Sequence, residues 1–145
     1  MKTALFTGTF DPFTIGHADI VERALKLFDR VVIGVGVNER KQCRQTADER
    51  VETIRGIYAG NQAVSVVAYS DLTIDLARRE QATAIVRGVR SVKDFEYERE
   101  QAEMNRRLSG VETLLFFADP QFSSISSSIL RELEHFGRDI KPFLP

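Results

Sequence analysis

The sequence predicts an α/β fold: a doubly wound, five-stranded parallel sheet in a single domain spanning residues 1–145. Short β-branched or aromatic runs, each bounded by turn residues or charges, alternate with segments of helical periodicity. The strand runs are almost continuously apolar, as strands covered on both faces must be. At 145 residues and 43% hydrophobic content the chain can fill one core. No composition shift, linker, repeat or low-complexity stretch divides it.

Taken in order, strands are predicted at 4–7, 31–37, 64–69, 84–86 and 113–117, and helices at 18–28, 47–58, 72–80, 92–108 and 127–136. The firmest boundary is the start of the second helix. There Thr46-Ala47-Asp48-Glu49 reads as a capping box, in which the threonine hydroxyl accepts an amide of the first turn and Glu49 reaches back to the cap. The fourth helix carries its apolar residues in two rows, Val92-Phe95-Ala102 and Tyr97-Met104-Leu108, too far apart for one narrow stripe. Two-sided burial of that helix would suit an oligomer contact.

Charge excludes some partners. Lysine plus arginine number 20 against 21 aspartate plus glutamate, so there is no general attraction to nucleic acid or to an anionic membrane. A polyanionic ligand would have to be gripped locally. The lone Cys43 excludes an intrachain disulfide and suits a reducing compartment. The first residues lack the apolar core of a signal peptide, and the run 31–37 is too short to span a bilayer. A cytoplasmic location is expected.

Parallel sheets of this kind bind ligands beyond the carboxyl ends of their strands. The first strand runs into Gly8-Thr9-Phe10-Asp11-Pro12-Phe13-Thr14-Ile15-Gly16-His17, ending where a helix starts. Glycines allow close backbone approach, helix-start amides favour an anion, and His17 could donate to a phosphoryl oxygen. Asp11 helps to shape the turn. Each residue alone reads better as part of an Asp-Pro turn before a capped helix with an exposed histidine, but the whole string outlines a phosphate site. Arg87-Gly88-Val89-Arg90 directly follows the fourth strand, on the same rim, where guanidinium forks match phosphate oxygens. Alone this would be surface charge. Lys41 follows the second strand in an ordinary charged loop, and its position rather than its type is of interest. Ser124-Ile125-Ser126-Ser127-Ser128 precedes the last helix, where hydroxyls both cap the helix and can cradle nucleotide phosphates. The charges of the fourth helix read mostly as a solvated face.

Along essentially its whole length the chain resembles the bacterial phosphopantetheine adenylyltransferase family. Four motifs agree in order: residues 8–17, Lys41, Arg87-Gly88-Val89-Arg90 with Asp94-Phe95-Glu96-Tyr97-Glu98, and Ser126-Ser127-Ser128. The TxGH element, Thr14 to His17, also resembles the wider nucleotidylyltransferase superfamily and its Rossmann-like fold. Thr7 stands where the family often has proline, and Phe122 where tryptophan is frequent. The resemblance implies reversible transfer of the adenylyl group of ATP to 4'-phosphopantetheine, giving dephospho-coenzyme A and pyrophosphate in coenzyme A biosynthesis.

The resemblance also implies residue roles. Thr9, Lys41, Thr73 and Arg87 would contact phosphopantetheine. Thr9, Phe10, His17, Gly88, Val89, Arg90, Glu98, Phe122, Ser123, Ser124, Ile125, Ser126, Ser127 and Ser128 would line the ATP site. His17, Lys41, Thr9 and Arg90 would carry catalysis, with Mg2+ bound mainly through the ATP phosphates and no protein metal ligands. A homohexamer with coenzyme A as feedback inhibitor is implied as well. Glu98 reads as a nucleotide contact rather than a base, because a phosphate monoester is already nucleophilic near neutral pH. Two rival readings stand beside this one: a nucleotidylyltransferase with another phosphorylated acceptor, and a non-catalytic nucleotide- or coenzyme-A-binding regulator, which would not need His17 and Lys41.

Overall fold

The computed structural model describes residues 1–38, 40 and 42–145. The five strands are β1 (Thr3–Gly8), β2 (Arg30–Gly36), β3 (Val64–Tyr69), β4 (Ala84–Val89) and β5 (Glu112–Phe117). They form one sheet in the order β3-β2-β1-β4-β5, with every neighbouring pair parallel. The helices α1 (Ile15–Leu25), α2 (Ala47–Ile57), α3 (Thr73–Arg79), α4 (Val92–Ser109) and α5 (Ser127–His135) complete the alternation. Short 3-10 turns at Pro120–Phe122 and Lys141–Phe143 were not expected from periodicity, which three residues cannot display.

Side-chain alternation along the strands divides the core into two layers. Ala4, Phe6, Val31, Ile33, Val35 and Val86 face α1 and α2, packing on Ile20, Val21, Ala24, Val51 and Ile54. The opposite set, Leu5, Val32 and Ile85, packs on Leu76 and Ala77 of α3. The first layer is the larger and includes Phe10 and Phe13 of the turn after β1, so that turn is anchored in the core.

Capping chemistry sets the helix starts. The Thr46 hydroxyl accepts from the Glu49 amide at 3.1 Å and Glu49 Oε1 accepts from the Thr46 amide at 3.3 Å, the expected reciprocal box. Ser91 and Ser126 cap α4 and α5, and α4 ends at Gly110 in the left-handed region (φ 77°), where a Cβ would be strained.

Two expected boundaries need correction. The first helix starts at Ile15 instead of residue 18, because Thr14 is its N-cap. The fourth strand runs to Val89 instead of stopping at residue 86, so Arg87, Gly88 and Val89 belong to the strand and only Arg90 follows it. The two apolar rows of α4 are not buried from two sides within the chain. Glu98 is the buried residue of that helix, while Val92, Phe95, Tyr97, Met104 and Leu108 are exposed. Among the described residues no helix is long and apolar enough to cross a membrane.

Candidate active site

β1 and β4 lie side by side, and from them the chain builds outward in opposite directions, to β2 and β3 on one side and to β5 on the other. The crevice beyond their carboxyl ends is the switch point at which such sheets bind ligands. Two adjoining cavities open there, of about 540 Å³ and about 350 Å³. Thr7, Gly8, Thr9, Arg87, Tyr97 and Glu98 line both. Ends of β1 and β4 therefore form a common wall between two chambers.

His17 stands in the larger chamber, in the first turn of α1. Its Nδ1 accepts the Thr14 backbone N–H at 3.0 Å, and its own N–H donates to the Thr14 hydroxyl at 3.2 Å. The histidine occupies the place that glutamate usually holds in a capping box. A backbone amide can only donate, so Nδ1 is unprotonated and the single proton of the neutral ring sits on Nε2. Phe10, Phe13 and Phe6 pack around the imidazole with ring centroids at 5.0, 5.4 and 6.1 Å. Burial among these rings, and then the positive charges of Arg87 and Arg90, push the His17 pKa down to about 3. With Nδ1 engaged by the Thr14 amide, His17 presents Nε2–H as its hydrogen-bond donor.

Opposite it, Arg87 donates from Nε and Nη2 to the two carboxylate oxygens of Glu98, at 2.9 and 2.7 Å, and from Nη1 to the carbonyl of Thr7. Burial works against the Arg87 charge, and the hydrogen-bonded Glu98 carboxylate more than offsets it, so the guanidinium is held more firmly protonated than in water. Arg90, one residue past the strand, is exposed. Its backbone N–H donates to Asp94 at 3.1 Å. Gly88 and Val89 pave the floor of the larger chamber beside Ile20.

The serine run closes the far side. Ser126 caps α5, the Ser127 hydroxyl donates to the Pro12 carbonyl at 2.8 Å, and the Ser128 hydroxyl accepts from Arg131 at 3.1 Å. Phe122, Ile125, Ser126, Ser127 and Ser128 line the larger chamber. Ser123 and Ser124 do not, and the Ser123 hydroxyl is turned back to the Pro120 carbonyl. Thr73 lies in the smaller chamber at the start of α3, 3.1 Å from the Tyr69 hydroxyl. Lys41 falls outside the described residues.

Arg131 was missed in the sequence. It lines the larger chamber and donates to the Asp11 carbonyl at 2.8 Å. A signal existed, since an arginine three and four residues beyond Ser128 and Ser127 shares their helix face. Asp11, expected to shape the turn, is 1% exposed and accepts from the amides of Arg44 (2.7 Å) and Gln45 (3.2 Å). It ties the turn after β1 to the segment leading into α2.

No cluster of three or more histidine, cysteine or acidic side chains gathers among the described residues. Asp19, Asp94, Glu98 and Asp119 line the larger chamber together with the cationic and hydroxyl donors Arg87, Arg90, Arg131, Ser126, Ser127 and Ser128.

The cytidylyltransferase-like family model matches residues 5–133. A phosphopantetheine adenylyltransferase of Phocaeicola vulgatus is 54% identical over 145 residues, covering 100% of this chain and 96% of that protein. One of Porphyromonas gingivalis is 56% identical over 142 residues, covering 98% and 93%. Among solved structures, a bifunctional NMN adenylyltransferase/ADP ribose pyrophosphatase of Francisella tularensis, complexed with AMP and a manganese ion, superposes with a TM-score of 0.74 at 15% identity. That match covers 99% of this chain and 44% of the other, and at such low identity it speaks for the fold. A parallel sheet with paired chambers at its switch point, a helix-start histidine and full-length kinship at this identity place the chain in the phosphopantetheine adenylyltransferase family, within the cytidylyltransferase-like family.

Proposed function

We propose that the protein transfers the adenylyl group of ATP to 4'-phosphopantetheine, releasing pyrophosphate and forming dephospho-coenzyme A. The observation that carries this reading is the pair of chambers sharing the Arg87–Glu98 wall, together with family membership at 54–56% identity. One chamber takes the nucleotide and the other the acceptor. Their common wall is where two phosphates must meet.

In this reading the acceptor phosphate oxygen attacks the α-phosphorus in line as the bond to the pyrophosphate oxygen breaks, and no covalent enzyme intermediate is needed. Neutral His17 donates its Nε2–H to an α-phosphoryl oxygen as charge shifts there. Thr9 and Arg87 orient the acceptor, with Glu98 holding the Arg87 fork flat against the wall. Arg90, Arg131, Ser127 and Ser128 surround the leaving phosphates, beside Phe10, Gly88, Val89, Phe122 and Ile125. Lys41 bridges acceptor and α-phosphate in the same proposal. Mg2+, bound through the ATP phosphates with no protein ligand required, would neutralise charge on the leaving pyrophosphate. We further propose feedback inhibition by coenzyme A across both chambers, a cytoplasmic location and a homohexamer. The exposed apolar residues of α4, which none of the described residues covers, support assembly.

Pyrophosphate release from MgATP, with and without 4'-phosphopantetheine and with other phosphorylated acceptors, tests the reaction. Turnover confined to phosphopantetheine is expected. ATP binding without turnover on any acceptor would refute it. A monomeric mass by gel permeation would refute the hexamer.

A further inference from the structure

Arg50 is a charged residue where α2 should present an apolar one: it is 3% exposed and lines neither chamber. Its Nη1 donates to the Thr9 carbonyl at 2.6 Å and the Gly36 carbonyl at 3.1 Å, and its Nε to the Gln45 carbonyl at 3.3 Å. Three carbonyls from three segments converge on one guanidinium: the turn after β1, the end of β2 and the lead into α2. No carboxylate among the described residues forms an ion pair with it. A buried cation satisfied only by backbone is costly in a fold, so its geometry calls for a use.

The use is legible in the peptide it grips. A planar trans peptide points its carbonyl and its following N–H in opposite directions. With the Thr9 carbonyl drawn to Arg50, the Phe10 N–H of the same peptide is turned away from Arg50, and Thr9 and Phe10 both line the larger chamber. That N–H has no acceptor among the described residues. Phe10 is held at φ 53°, a left-handed conformation uncommon for a non-glycine residue. The strain is sustained by the Phe10 ring, 4% exposed in the core, and by Arg50 on the carbonyl.

We infer that Arg50 is a positioning residue for phosphoryl transfer, clamping the Thr9 carbonyl so that the Phe10 amide faces the phosphoryl oxygens alongside His17. This deepens the adenylyl-transfer reading and rests on it. Arg50 touches no substrate and acts through the turn.

The test uses full-length Arg50→Lys, which keeps charge but cannot reach three carbonyls, and Arg50→Ala with added guanidinium. For Arg50→Lys, kcat per folded molecule should fall about 100-fold, as for a displaced catalytic group, while affinity for MgATP changes less than about threefold, because the donor matters most in the transition state. Guanidinium should restore part of the Arg50→Ala rate. The Phe10 amide proton resonance, followed with MgATP alone, should move downfield in the wild type and stay in Arg50→Lys. That readout needs no acceptor, so silence of the wild type toward phosphopantetheine would sink the acceptor and leave the Arg50 result readable. An identical Phe10 shift in both proteins, a lower melting temperature with kcat intact, or loss of folding in both variants would assign Arg50 to the fold alone and overturn the inference.

Discussion

Thr14 and His17 exchange hydrogen bonds across the first turn of α1, the threonine N–H donating to Nδ1 at 3.0 Å and the histidine N–H to the threonine hydroxyl at 3.2 Å. One contact therefore starts the helix and selects the tautomer. Replacing His17 with alanine should lower kcat about 100- to 1,000-fold, the usual cost of one donor at a developing oxyanion, with MgATP affinity nearly retained. Steady-state kinetics beside calorimetric binding decide this. Equal losses in binding and kcat would mean that His17 acts on the ground state.

The same environment makes His17 silent in the range where histidines ordinarily titrate. With the folded pKa depressed to about 3 by burial and then by Arg87 and Arg90, the pH dependence of kcat should lack a histidine inflection near 6.5. For stability the unfolded chain binds the His17 proton below about pH 6.5 and the folded chain does not until about pH 3. Stability contributed by neutral burial is thus complete above the unfolded pKa and falls as pH drops through this window, by up to ~1.4 kcal/mol per pH unit for one group. Urea titrations at several pH values should show this slope in the wild type and a flatter one in His17→Gln. Parallel slopes would show that His17 titrates normally in the folded protein.

Periodicity and turn chemistry carried the order of all ten main elements, because the strand runs are almost continuously apolar, even in the partly exposed edge strands β3 and β5, and their flanking helices are not. The missed boundaries have tertiary causes. Arg87 and Gly88 read locally as a strand end, yet β4 continues through them because β5 supplies the ladder and Glu98 of α4 supplies the counter-charge. Thr14 was visible as a cap residue, but glutamate, not histidine, is the familiar partner, so the box at α1 went unread while its counterpart at Thr46 was found. Arg50 had no local signal at all. Its partners Thr9, Gly36 and Gln45 meet only once the strands are assembled.

Glu98 is half of a fork, and removing it leaves Arg87 charged against the wall. Breaking a buried pair costs about 3–5 kcal/mol, and because the Arg87 side chain is 29% exposed toward the chambers, Glu98→Ala should fall at the lower end, about 3 kcal/mol. The KM for the acceptor should rise more than that for ATP, since Arg87 loses its fixed orientation. Denaturant melts and separate KM measurements check both parts. An unchanged acceptor KM in folded Glu98→Ala would mean that Arg87 needs no fixing.

Arg131 holds the turn after β1 through the Asp11 carbonyl and faces the serine hydroxyls. Its replacement by methionine keeps the stem and removes the charge. MgATP should bind about tenfold more weakly, consistent with one charge-assisted contact, and the loss should shrink for AMP, which lacks the outer phosphates. Equal weakening for ATP and AMP would place Arg131 in turn structure alone.

Gly8 and Gly34 back different parts of the site, Gly8 the aromatic wall around His17 and Gly34 the smaller chamber. A Cβ on Gly8 would stand 3.0 Å from Cε1 and Cζ of Phe10. The Phe10 ring packs edge-on against Phe6, Phe13 and His17 and cannot retreat without moving them. On the opposite layer, a Cβ on Gly34 would meet Leu76 Cδ2 at 2.7 Å, Thr7 Cγ2 at 3.1 Å and Tyr69 Cε1 at 3.3 Å, behind the smaller chamber that Thr7 and Tyr69 line and in contact with neither His17 nor Phe10. Each alanine variant overpacks one layer, so each should cost about 1–3 kcal/mol of stability. Their kinetics should diverge. Gly8→Ala shifts the aromatic wall that orients His17, and a displacement of even 1 Å there can lower kcat about 100-fold, whereas folded Gly34→Ala, which presses on Thr7 and Tyr69 instead, should keep kcat within about threefold and show any loss in the KM for the acceptor. Assaying the two side by side below their melting transitions reads the difference directly. If both lose activity only in step with stability, the aromatic wall supports the core and has no part in holding the imidazole.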